Sequence, residues 1–539
     1  MKKQTKLVAT LSTAALLALG FSAVSMAAGW DNSTGAWRYL NNDGTEVTDE
    51  WKSANGNWFY LDSDGVMATD KLIEDQSTSG KTKYYYVDQY GAMVKNTWKA
   101  VAMDDDDNSD LDAEYWWYYF GNDGKAYSIE STNQLTKSKI KTINGLKYGF
   151  DDEGHMFYGW IDKENPQQDD NNTTAWTEAD YYFNGWNDGH AQTGWAQINV
   201  EKADGDTADY WFYFNGDGEK QYGKRKKING VYYVFADDGH MIDEWTIKDE
   251  DATSNQWGTN FTATNATASK ISYVNGDGAQ RKNSWIWAIP DEDWISSDYN
   301  DDEYSWFYAG KDGFITVNQY KKINGKYYVF DNEGRMQTEF VNIADKKFVG
   351  NQTSADDWTR AEWIEGTTDD GKHTRVTDVA SDLRYFSNDE EKDGSMKTGY
   401  QNIEMSDDTY QFYFTKNGDA KTEYNSTIKK YTIAGMILKP SNDDDNNYAG
   451  VVVDSNNDPK KILTTSKEII NAVDSGKTVV LVNKSGTVVK KKTVRDENDE
   501  YWRTNAAGEV VKHADLKSTK DSNGNKKADE WNSDDNWNE

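Results

Sequence analysis

Two kinds of side chain in this sequence could do chemistry, rings and carboxylates. Both are abundant: 23 Trp, 34 Tyr and 18 Phe stand beside 92 Asp and Glu. Carboxylates in such number place some pair at glycosidase distance by chance, so they carry no argument for hydrolysis. No GxSxG elbow, HExxH pair or cysteine nucleophile is present and the five His are scattered, so the chain reads as a non-enzyme that needs no cofactor. His155, His190 and His240 each follow a glycine, where exposure is the default. One acidic stretch, DSNGNKKADEW, partly fits a calcium loop, with Asp521, Asn523, Asn525 and Asp529 at alternate ligand positions. Lys526 stands where that loop needs glycine and Asn532 where it needs a bidentate Glu, so residues 516–539 read instead as a disordered acidic tail.

The rings, in contrast, are in register. Seven residues ahead of Gly44, Gly65, Gly124 and Gly218 stand Trp37, Trp58, Trp117 and Trp211, and seven ahead of Gly91, Gly239 and Gly334 stand Tyr84, Tyr232 and Tyr327. Five ahead are Tyr39, Tyr60, Tyr86, Tyr119 and Tyr213; four ahead are Leu40, Leu61, Val87, Phe120 and Phe214. Strand side chains alternate, so the rings at minus seven and minus five share one face and the apolar residue at minus four takes the other. Met67, Met93, Met156, Met241, Met336 and Met396 stand two residues after their glycines and read as core filler.

The element that must position these rings is a β-hairpin. In KKINGKYYVFDNEGRMQTEF, Lys321 to Phe340, a turn at Asn324-Gly325 precedes the strand Tyr327-Tyr328-Val329-Phe330, and a polar reversal ends at Gly334. KKINGVYYVFADDGHMIDEW and KTINGLKYGFDDEGHMFYGW repeat it from Lys226 and Lys141. A lone hairpin is marginal in water, so each must bury a face on its neighbours, which predicts an all-β solenoid of stacked hairpins. Three hairpin types recur in fixed order at about 85 to 105 residues. Acidic insertions such as Asp104–Glu114, Glu201–Asp209, Asp291–Glu303 and Gly350–Asp382 interrupt them, and these read as solvated loops. Little or nothing is inserted between the second type and the third.

A formal charge of −33 excludes nucleic acid as a partner, since phosphate neutralisation needs clustered Lys and Arg. Lys2, Lys3 and Lys6 ahead of an apolar run from Leu7, with Ser25 and Ala27 after it, read as an export signal, leaving no membrane span after its removal. The expected organisation is a signal peptide over 1–27, N-terminal repeats over 28–101 and three-hairpin super-repeats with acidic insertions over 102–425. Degenerate repeats or a small β domain follow over 426–515, then the tail. A short helix is expected over Ser466–Val473.

The ordered pattern resembles the cell-wall-binding repeat family, the choline-binding and glucan-binding repeats of Gram-positive surface proteins. GWDNSTGAWRYLNNDG from Gly29 and EWKSANGNWFYLDSDGVMATDKL from Glu50 are similar to the family pattern GWxxxxGxWYYxxxxGxMxxGW, and the resemblance extends over roughly residues 29 to 425. The KKING units are similar to the short repeats of large clostridial toxins, a branch of the same group. The resemblance implies a protein held to the cell wall or cell surface, with teichoic acid choline or a polysaccharide as partner. It also implies that a quaternary ammonium sits between hairpins in an aromatic cage, held by cation–π attraction. On that pattern the cages would use Trp30 and Trp37 with Trp51, and Trp51 and Trp58 with Tyr84 and Met67. Inserts between Trp98 and Trp117, and between Trp160 and Tyr182, argue against complete cages in the middle of the chain. A glucan or host-glycan binder, or a structural solenoid without a small ligand, are the other readings.

Overall fold

A computed structural model describes residues 28–76, 81–103, 113–129, 134–169, 171–248, 257–259, 270–367, 383–388, 393–440 and 446–515. The expected signal peptide, the tail with Asp521, Asn523, Asn525 and Asp529, and the insert segments 104–112 and 368–382 lie outside the described residues. The chain divides into two compact units, one of Met1–Thr259 with Val274–Gln280, the other of Asn260–Tyr273 with Arg281–Glu539.

The architecture is all-β, a succession of small antiparallel hairpin sheets. Each hairpin follows from its own residues. Glu50–Ala54 pairs with Asn57–Leu61 across a turn in which Asn55 and Gly56 have φ of 50° and 83°. Two successive left-handed residues are what a type I′ turn requires, and Asn-Gly is the pair that supplies them at least cost. Asn144-Gly145, Asn229-Gly230 and Asn324-Gly325 repeat that geometry. The polar reversal is held by an Asx-type carboxylate: Asp62 Oδ1 accepts from the Asp64 and Val66 N–H groups, as Asp331 does from Glu333 and Arg335. The residue at minus four is the core of each hairpin, and Leu61, Val87, Phe120, Phe214, Phe235 and Phe330 are fully buried.

Neighbouring hairpins are joined by one recurring backbone bond. The residue two past a turn glycine donates its N–H to the carbonyl of the residue at minus seven in the hairpin before it. Met67 donates to Trp37, Met93 to Trp58, Ala126 to Tyr84 and Met156 to Trp117, each at 2.8 Å. The side chain of that residue then lies beneath the next turn glycine: a Cβ on Gly124 would stand 2.7 Å from Met93 Sδ, and one on Gly189 2.1 Å from Met156 Cε. Glycine at those turns is required by clearance as well as by positive φ.

In the first unit the buried residues form several small clusters, such as Ala68, Ile73 and Val87, or Tyr86, Tyr118 and Phe120. The second unit contains a larger core in which Phe340, Phe412, Phe414 and Met436 meet Trp358 and Trp363. These two tryptophans correct the expectation that Gly350–Asp382 is a solvated loop. Its described part forms a 3₁₀ turn, Ala355–Asp357, and a helix, Arg360–Glu365, that starts at a Thr359/Glu362 capping box and ends at Gly366 with φ of 89°. Trp358 and Trp363 are fully buried, so the insertion adds core. Glu201–Asp209 is likewise ordered, as the tip of the long hairpin Gly194–Glu201/Thr207–Phe214, and Asp291–Glu303 holds the helix Ser296–Asn300.

Beyond Gly399 the second unit has a five-stranded sheet, then the sheet Pro459–Leu463, Tyr448–Val453 and Thr478–Asn483. The helix Ser466–Asp474 packs on the latter through Ile469 and Ala472, one residue longer than its sequence predicts.

Candidate functional site

Where hairpins meet, four side chains converge. The first strand of a hairpin supplies a ring, usually Trp, and the residue at minus seven supplies a second ring from the paired strand. The next hairpin supplies a ring at minus six and the residue two past its glycine, usually Met. Trp98 pairs with Tyr119 and Ala100 with Trp117, so Trp98 and Trp117 are diagonal neighbours on one face. Their centroids are 6.5 Å apart with planes at 78°, and Tyr148 of the next hairpin stands 4.8 Å from Trp98 at 63°. With Met156, Asn187 and Asp188 these rings line a small cleft open to solvent.

The same quartet recurs. Trp195 and Trp211 lie 6.4 Å apart at 82°, with Tyr233 4.8 Å from Trp195 and the Met241 N–H bonded to the Trp211 carbonyl at 2.7 Å. Trp285 and Trp306 lie 6.1 Å apart at 88°, with Tyr328 4.8 Å from Trp285 and Met336 in the same cluster. All three fall where the second hairpin type passes to the third with little or no insertion. The expectation that inserts would break the middle cages is corrected for a geometric reason. The strands on either side of the insert between Trp98 and Trp117, Thr97–Ala102 and Tyr115–Phe120, are paired with each other, which leaves the rings adjacent.

The six residues singled out near the N-terminus are grouped differently from the expected cages. Trp30 meets Trp37 at 6.5 Å and Phe59 at 5.3 Å, and Met67 bonds back to Trp37. Trp51 meets Tyr60 at 5.2 Å and Tyr85 at 5.1 Å, while Met93 bonds back to Trp58. Tyr84 faces Tyr118 at 6.4 Å. Thus Met67 belongs with Trp30 and Trp37, and Tyr85 with Met93 takes the place expected of Tyr84 with Met67. The reason is strand alternation: minus six lies opposite minus seven, so it is the ring aimed at the preceding hairpin. A signal for it was present, since Phe59, Tyr85, Tyr118, Tyr148, Phe212, Tyr233 and Tyr328 are all aromatic.

Two near-perpendicular ring planes form the walls of a corner whose faces carry the negative part of the ring quadrupole. Such a corner attracts a cation without needing a hydrogen-bond donor from it. Asp188 at the rim is hydrogen-bonded to His190 Nδ1 at 2.7 Å and adds negative charge. At the third quartet Asp393 precedes the turn; burial pushes it up, but hydrogen bonds from Lys326, Lys397 and Ser395 outweigh this and hold it well below the carboxylate range. Among the described residues no cluster of three or more His, Cys, Asp or Glu is arranged to hold a metal ion. No described helix is long and apolar enough to cross a membrane.

Burial also acts on the tyrosines, pushing Tyr181, Tyr385 and Tyr431 up to about 12. An unfolded tyrosine ionises near pH 10. Folded stability is therefore whole below about pH 10 and drains as pH climbs toward 12, because the unfolded chain releases protons that the folded one retains. The urea midpoint should fall steeply across that interval; a flat midpoint would contradict the burial of these rings.

Comparison with known proteins gives the following. The choline-binding repeat family matches residues 47–98, which hold Trp51, Trp58, Tyr85 and Met93. Glucosyltransferase-S of Streptococcus mutans is 29% identical over 212 residues, 39% of this chain and 11% of that one. Among solved structures, CbpJ of Streptococcus pneumoniae is 17% identical, with 60% of this chain and 100% of that chain covered and a TM-score of 0.34. The modular autolysin LytC of the same organism, in complex with a synthetic peptidoglycan ligand, is 19% identical over 59% of this chain and 55% of that one, with a TM-score of 0.31. The chain thus spans about a tenth of the glucosyltransferase and about half of the autolysin. Residues 47–98 are thus similar to choline-binding repeats.

Proposed function

We propose that this protein is exported and holds to a Gram-positive envelope without catalysis, by taking the choline of teichoic acid into the corners between hairpins. The observation that carries this is the cleft of Trp98, Trp117, Tyr148 and Met156 with Asp188 at its rim, repeated at Trp195 and Trp285. Trimethylammonium has no proton to donate and a methyl shell to desolvate, which suits ring faces and a thioether better than polar groups. Retention on a choline column and elution by free choline is the test; passage through it unretained would reject the proposal. Replacing Trp37 and Trp58 together by alanine should weaken that retention, and unchanged retention would remove the two N-terminal corners from the account.

A glucan is the second reading. Trp58 and Trp211 are each 43% exposed, enough ring face for a sugar to stack on, and the similarity to a glucosyltransferase points the same way. A dextran column run beside the choline column separates the two.

A further inference from the structure

One junction of the first unit departs from the others in a way that packing does not require. Trp160, on Gly159–Ile161, pairs with Tyr182 and meets Phe212, the minus-six ring of the next hairpin, at 5.1 Å and 63°. The residue two past that hairpin's glycine is Lys220, where other junctions place an uncharged residue such as Met93, Ala126, Met156, Gln280 or Ile315. Its backbone makes the usual bond, from N–H to the Asp180 carbonyl at 2.7 Å, and its stem fills the usual space, with Cδ 2.7 Å from a Cβ built on Gly239. The side chain is 1% exposed. Its Nζ stands 5.4 Å from the Trp160 ring centre and donates to the carbonyls of Trp176 and Asp238. Trp176 comes from the 3₁₀ turn Ala175–Thr177, is anchored by its indole N–H to the Glu201 carbonyl at 2.7 Å, and meets Phe212 at 6.0 Å and 73°.

A buried ammonium is costly unless fixed dipoles and ring faces replace its water. All of these are present: two carbonyl oxygens, the Trp160 ring, and the carboxylates of Asp180 and Asp238 nearby. Burial still pulls the lysine down to about 8, so the group sits at a real desolvation cost. Methionine at this position would fill the same space without that cost. We infer that this junction is an aromatic cation site occupied by the chain's own ammonium, and that its chemistry selects a primary alkylammonium over a quaternary one. The selection follows from the two carbonyls, which need N–H donors that a quaternary nitrogen lacks. The first unit repeats the device at Arg225, whose guanidinium lies 4.7 Å from the Tyr232 ring and 4.6 Å from that of Trp257.

The inference rests on the proposal that inter-hairpin corners are cation sites, and its test is independent of choline retention. Lys220→Ala in the full chain removes the three carbons and the nitrogen that n-propylammonium supplies. Thermal unfolding of this variant should show a lowered melting temperature, most of which n-propylammonium chloride restores. Tetramethylammonium chloride and sodium chloride at equal concentration should not, and wild type should not respond. Equal effects of all three salts on Lys220→Ala would overturn the inference. Should that variant fail to fold, Lys220→Met retains the packing. Wild type labelled with ¹⁵N-lysine should then show a slowly exchanging ammonium signal, shifted upfield by Trp160, that Lys220→Met lacks; its absence from wild type would equally overturn the inference. Rescue by n-propylammonium in a protein that ignores choline would sink the choline proposal and leave this one standing.

Discussion

Trp117→Ala is expected to weaken choline uptake at the middle cleft while leaving the protein folded, whereas Trp98→Ala should lose both. Trp98 is ringed by Trp117, Tyr119, Tyr148 and Phe150 at 6.5, 5.1, 4.8 and 5.9 Å, so its removal takes out the centre of a cluster and costs about 3 to 5 kcal/mol. Trp117 contributes a wall of the cleft and a single edge contact to Trp98. Loss of one ring from a cation cage costs about 0.5 to 2 kcal/mol of binding, or roughly two- to thirtyfold in affinity at that cleft. Equilibrium dialysis with labelled choline at a fixed low concentration should show a loss of up to one bound ligand per chain for Trp117→Ala. If the two variants bind as many choline molecules as wild type, the ring quartet is packing and nothing more.

The second large effect is expected at a turn. Gly189→Ala places a methyl 2.1 Å from Met156 Cε and 2.3 Å from its Sδ, at a residue whose φ is 60°. Overpacking of this kind costs about 1 to 3 kcal/mol and left-handed backbone on a non-glycine residue about 1 more. The urea midpoint should drop accordingly. Because Met156 also lines the cleft, choline affinity should fall with it. In a Met156→Ala background the overpacking part disappears and the backbone part remains, so Gly189→Ala should cost less there than in wild type. An equal cost of Gly189→Ala in both backgrounds would show that the methionine does not lie under that glycine.

The hairpin was legible because its determinants are local. Asn-Gly at Asn324-Gly325 dictates a type I′ turn whatever surrounds it, and burial of Phe330 follows from alternation along one strand. The site was less legible because it is made by two hairpins at once. Tyr148 and Met156 join Trp98 and Trp117 through a backbone bond between hairpins, from Met156 N–H to the Trp117 carbonyl, and no pattern within one hairpin announces it. Inserted residues misled for the same reason: distance along the chain from Trp98 to Trp117 is large, but the strands that bear them are paired. Acidic composition misled at Gly350–Asp382, where Trp358 and Trp363 outweigh the surrounding carboxylates and bring its described part into the core. Lys220 reads as one more surface lysine until Trp160, Trp176 and Phe212 are seen around it.

The amide link from one hairpin to the carbonyl of its predecessor also separates how the stack is built from what each gap contains. Met93, Ala126, Lys220 and Gln280 all make that link, so a gap can be emptied, filled or retuned by a single codon without disturbing the spacing of the modules around it. Within each compact unit the contents of successive gaps can therefore drift independently, so that affinity is traded for rigidity one gap at a time.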